Sequence, residues 1–154
     1  MVTELRWLST LLLLAVLTGC GFTPSSSEPE QPSELSELSG DGQVRQQEGN
    51  VSISAIGRAQ QAYFLENSKY AKSLEDLDIA LTPQYYDLAV VEVTDKQVIM
   101  KATPREAGMK SYIGGVSGIS QRIVCASDNP GTEIANPVFQ SQAWSCAPGS
   151  TQVE

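Results

Sequence analysis

Residues 50–71 read "NVSISAIGRAQQAYFLENSKYA", and the period of this stretch decides the fold class. Asn50 can cap a helix start, because its side-chain oxygen can accept an orphan backbone N–H. Val51, Ala55, Ala59, Ala62 and Leu65 recur at helical intervals, flanked by Ile56, Tyr63 and Phe64, which predicts them as the buried face. Arg58, Gln60, Gln61 and Glu66 supply the polar face. Gly57 weakens the pattern slightly, and "ENSK" (66–69) is a stop.

Downstream the period changes. Ser73 to Leu77 reads as a short second helix or turn, with Ser73 as cap and Asp76 three residues on, before Pro83 interrupts. Tyr86, Leu88 and Val90 alternate with Tyr85, Asp87, Ala89 and Val91. After "TDKQ" (94–97), Val98, Met100 and Ala102 alternate with Ile99, Lys101 and Thr103, which is a hairpin pattern. "SYIGGV" (111–116) and "RIVCA" (122–126) make a second pair, "DNPG" (128–131) is a strong turn, and "AWSCA" (143–147) is a last short strand held to Cys125. One helix followed by an antiparallel sheet is α+β, with the helix laid across one sheet face.

Upstream, residues 21–49 are rich in Pro, Ser and Glu. Pro24, Pro29, Pro32 and the "SELSEL" echo offer no apolar face able to repay ordering, so a tether of roughly 30 Å average span is expected. Before it lies an apolar run, Trp7-Leu8 and Leu11 to Leu17, preceded by Arg6. The run is too short to span a bilayer, which needs about 20 apolar residues, and suits the core of an export signal. Leu17, Thr18, Gly19 and Cys20 match the bacterial lipobox, in which the Cys sulfur receives a diacylglyceryl group and the chain is cut just before it. "GFT" (21–23) resembles a prepilin cleavage site, but a prepilin is cut before its apolar segment, and here that segment lies on the wrong side. The expected organisation is a signal peptide over 1–19, lipidated Cys20 and a disordered linker over 20–49, and a globular domain over 50–150. A single acyl chain anchors only marginally, whereas two or three hold firmly.

The chain of 154 residues carries a formal charge of −8. Removal of 1–19 takes away one Glu and one Arg, so that charge is unchanged. Its ten cationic side chains form no basic stripe, which argues against nucleic acid as a partner. With Cys20 lipidated, Cys125 and Cys146 remain as an even pair in an oxidising compartment. A disulfide between them would contribute roughly 3 kcal/mol by restricting the unfolded chain. Two free thiols or a metal site are the alternatives, but the chain has no CxxC spacing and no His, so metal binding is poor.

The run "AIGRAQQAYFLENSKYAKSLEDLDI", the later strands, "MKSYIGGV" and "IVCAS…WSCAPGS" together resemble the type IV pilin-like G/H family of bacteria over about residues 50–150. The resemblance implies a helix on a four-stranded antiparallel sheet closed by a paired-cysteine segment. It stops at the amino terminus. Pilins of that family continue the helix into an apolar half that anchors the subunit and packs the filament core, whereas this chain has a polar tether and a candidate lipid.

No His means no Ser–His or Cys–His pair, and Glu75, Asp76 and Asp78 look like a solvated turn rather than an acid/base dyad. Tyr63, Phe64 and Tyr70 are expected in the core. The glycines of "GGVSG" (114–118) lack the Lys of a phosphate-binding loop and suit tight packing or a hairpin turn. No catalytic residue, metal or cofactor is expected. The expected function is a non-enzymatic, lipid-anchored envelope protein acting by protein contact, accessory to pilus or type II secretion machinery or independent of it. A small-ligand or surface-binding lipoprotein, for sugars or peptides, and a minor pilin cut at Gly21 are the alternatives. Pilins or secretion components are the expected partners. Location is expected to be membrane-anchored, periplasmic or at the cell surface. Gly21 rather than Asp after Cys20 leans towards the outer membrane by analogy with bacterial lipoproteins.

Overall fold

A computed structural model describes the backbone of residues 34–154, and side chains from residue 40. The helix α1 runs from Glu34 to Asn67. It therefore starts well before Asn50, which lies inside the helix instead of capping it, and residues 34–49 are helical where the sequence suggested tether. From residue 33 to residue 82 the chain has no proline, so nothing in that stretch forbids helix. Gly49 shows why the helix continues through a weak former. A Cβ there would lie 2.6 Å from a ring carbon of Tyr112 and 2.7 Å from one of Tyr86, so only glycine lets α1 approach the sheet so closely. The expected stop is observed: Ser68 takes a left-handed φ of 55°, its N–H bonds Phe64 O at 2.8 Å, and Asn67 Nδ2 bonds Tyr63 O at 3.0 Å.

The buried face of α1 overlaps the expected one only in part. Ile53, Ile56, Gly57 and Gln60 face the sheet, while Val51 is 61% and Leu65 is 65% exposed. Turning Ile53 and Ile56 inward buries more apolar area than Ala55 and Ala59 could, at about 25 cal/mol per Å². Gln60, assigned to the polar face, is fully buried. Its carboxamide donates to Ala71 O at 3.0 Å and accepts from Ala71 N–H at 2.9 Å, so its polarity is satisfied inside the core. This pair also holds the chain after the helix, leading Tyr70 to stack on Phe64 with ring centroids 4.7 Å apart. A 3₁₀ turn over Glu75–Leu77 follows, and the Asp76 carboxylate accepts from Ser73 N–H at 3.2 Å.

Strands β1 (Tyr86–Val93), β2 (Val98–Pro104), β3 (Tyr112–Ser117) and β4 (Gln121–Ser127) form the expected antiparallel meander. Two short strands, β5 (Val138–Gln140) and β6 (Ala143–Ser145), pair with each other, and β7 (Ser150–Gln152) pairs with β4. The main sheet thus has five strands in the order β1-β2-β3-β4-β7 rather than four. The "AWSC" segment forms a separate hairpin instead of the last strand of the sheet. A bulge at Val91 and the acidic Asp87 and Glu92 blunt the edge strand β1.

Both sheet faces are covered. On one, Ile53 and Ile56 of α1 pack with Tyr86, Val98, Met100, Tyr112, Val116 and Val124. On the other, Ile99, Ile113 and Ile123 are covered by Ile134, Trp144 and the disulfide. Adjacent glycines serve the two faces in turn. A Cβ on Gly114 would meet Ile53 at 2.6 Å, and one on Gly115 would meet the Trp144 ring at 2.6 Å. Tight packing, as expected, accounts for both. Cys125 and Cys146 are bonded, with Cα atoms 5.8 Å apart, and this cross-link ties the hairpin segment to β4.

Candidate functional site

Leu17, Thr18, Gly19 and Cys20, the expected lipidation signal, lie outside the described residues. Among the described residues no group of three His, Cys, Asp or Glu side chains could hold a metal ion, and no helix is long and apolar enough to cross a membrane. Glu75, Asp76 and Asp78 are exposed on the turn after α1. Hydrogen bonds from the Glu75 backbone and from Ser73 hold the Glu75 carboxyl below the usual carboxylate range. These carboxyls are solvated and surround no apolar pocket, so they do not make an acid/base pair.

What the fold does present is a long helix whose two flanks are clamped to the sheet while its outer face is left free. On the β1 side, Glu48 accepts from the backbone N–H groups of Gln84 and Tyr85, at 2.6 and 2.7 Å. Arg45 bonds Glu106 at 2.9 Å and Asp41 at 2.5 Å, and lies 5.0 Å from the centre of the Tyr85 ring. On the β4 side, the Glu154 carboxylate accepts from Ser54 and from Arg122, with Arg58 3.9 Å away. Those partners, the Ser54 hydroxyl first, hold the Glu154 carboxyl below its ordinary value. Tyr70 Oη accepts from Gly118 N–H at 2.6 Å, and burial pushes the Tyr70 phenol up. Tyr86 and Tyr112 meet edge to face 5.9 Å apart, and burial raises both phenols.

Between the flanks, Val44, Val51, Arg58 and Leu65 stand seven residues apart along the face turned away from the sheet. Ala62 is exposed beside them and Ala55 half-buried. The periodicity in 51–65 was legible in the sequence, but it splits between faces: Ile56, Ala59, Tyr63 and Phe64 pack with the core, whereas Val51 and Leu65 lie on the outer stripe. The Gln60–Ala71 pair has no signal in sequence spacing. Tyr63, Phe64 and Tyr70 pack with the core as expected, so they contribute little to any contact surface.

Three of the four stripe positions, Val44, Val51 and Leu65, are thus large apolar side chains left exposed. No curated protein and no solved structure matches the chain. The family profile of type IV pilin-like G and H proteins matches residues 46–147. That range takes in the packed part of α1, the four-stranded meander and both bonded cysteines, so the chain belongs to the type IV pilin-like G and H family.

Proposed function

We propose that this protein is a lipid-anchored component of the bacterial cell envelope, in which a non-enzymatic pilin-like head works by contact with other proteins. The observation that carries the reading is the joining of a pilin-like head to an amino-terminal run ending in Leu17-Thr18-Gly19-Cys20. Filament subunits hold to membrane and neighbours through an apolar helical stem. Here the stretch between Cys20 and α1 is largely polar, so a thioether-linked diacylglycerol on Cys20 takes over the anchoring. The head is then free to meet pilins or type II secretion components through the Val44, Val51 and Leu65 stripe, at the outer membrane or elsewhere in the envelope.

Mass spectrometry of the native amino terminus tests the anchor. Acylated Cys20 is the expected species, and a methylated Phe22 would instead make the protein a minor pilin cut at Gly21. Cys20→Ala should move the protein out of the membrane fraction. In-cell crosslinking from position 51 or 65 should capture pilins or secretion proteins, and capture of unrelated envelope proteins alone would leave the head with an independent role.

A further inference from the structure

A cleft of about 240 Å³ beside α1 has an unusual lining: Gln43, Gln46, Gln47 and Asn50 from the helix, Tyr112 from β3, and Val153 after β7. The four carboxamides stand at i, i+3, i+4 and i+7, so they share one helix face. The other carboxamides of α1 are engaged: Gln60 with Ala71, Gln61 with Ile119 O at 2.9 Å, and Asn67 with Tyr63 O. The four in the cleft make no such bond among the described residues. The Asn50 Oδ1 atom is buried without a partner, a costly state for a carbonyl oxygen.

The lining also selects by what it lacks. No charged side chain lines the cleft, so neither a cation nor an anion finds a counter-charge, and the net charge of −8 disfavours anions further. Each carboxamide offers N–H donors next to an acceptor oxygen. A hydroxyl group likewise both donates and accepts, and the C–H groups of a sugar ring suit the exposed side chain of Val153, beside which the buried Tyr112 lines the cleft. The volume falls below that of a drug-sized pocket, and admits a terminal ring rather than a whole chain. We propose that this cleft binds a neutral saccharide, its hydroxyls bonded to Gln43, Gln46, Gln47 and Asn50 and its C–H groups against Val153. The site stands independently of the lipid anchor and of the outer stripe on α1.

The test is titration of the ¹⁵N-labelled full chain with chitotriose, maltotriose and cellobiose, following the side-chain NH₂ resonances, with triglycine as a non-saccharide amide. At least one saccharide should shift the resonances of the four cleft carboxamides saturably at millimolar concentration, and triglycine should not. The Gln46→Ala/Gln47→Ala double variant should weaken that binding by about tenfold or more, equivalent to about 1.4 kcal/mol. Gln61→Ala, outside the cleft, should leave it unchanged. Absence of saturable shifts with all three saccharides, an equal response to triglycine, or undiminished binding by the double variant would overturn the proposal.

Discussion

At Gln60 one carboxamide satisfies both the N–H and the C=O of Ala71, which lets a polar side chain occupy the middle of the core. Gln60→Leu keeps the bulk but strands both backbone groups, each worth about 1–3 kcal/mol when buried and unpaired. Urea unfolding should therefore show a loss of about 2–5 kcal/mol, larger than an ordinary surface substitution gives. Gly115 makes a complementary case, because its missing side chain is the slot that holds Trp144. Gly115→Ala should displace the indole, shift tryptophan emission to the red and cost about 1–3 kcal/mol through overpacking. Gly40, where an added Cβ meets nothing within 4 Å, is the control, since Ala there should be neutral or stabilising by up to about 1 kcal/mol.

Among the elements, α1 and β4 are tied through Glu154, which follows β7 and whose carboxylate accepts from Ser54 and Arg122. Its folded-state pKa lies below the ordinary value, so the stability it adds is complete above the unfolded carboxylate pKa, near 4.3–4.5, and is lost as pH falls through the folded value. Removing the titrating group with Glu154→Gln should lower stability at neutral pH and flatten the decline on acidification, as read by urea unfolding at pH 7 and pH 3. The effect should be modest because the side chain keeps 33% of its surface exposed and solvent screens the pair. The hairpin β5–β6 depends on a different tie. With Cys125 and Cys146 bonded across 21 positions, the Cys125→Ala/Cys146→Ala variant should lose about 2–4 kcal/mol. Hydrogen exchange should rise first in residues 128–149, while the meander stays protected.

At the scale of the whole molecule, one helix serves two surfaces. Its inner side builds the core and its outer stripe remains available, so substitutions in the stripe separate contact from folding. Val51→Asp/Leu65→Asp should change unfolding free energy by no more than about 0.5 kcal/mol per site, since both positions are exposed. In-cell crosslinking to the partner should nevertheless fall sharply. The α+β class, the two hairpins, the helix stop at residues 66–69 and the cysteine pair were legible in the sequence, because each rests on local period, turn chemistry or parity of cysteines. The rotation of α1 was legible only in part, because Ile56, Ala59 and Phe64 pack inward as expected while Val51 and Leu65 turn out and Ile53 and Gln60 take their place in the core. Helical content before Asn50 was also hidden, since glycines and glutamates read as tether until Gly49 and Glu48 are seen packed and bonded against the sheet. The strand β7 is too short to signal itself, and exists because β4 supplies its partner. Local pattern, then, determined the packed part of α1 and the four-stranded meander. Which face of each element is buried, and which polar groups are answered inside, was decided only by tertiary contact, because burial is settled by the total area and hydrogen bonds gained across elements distant in sequence.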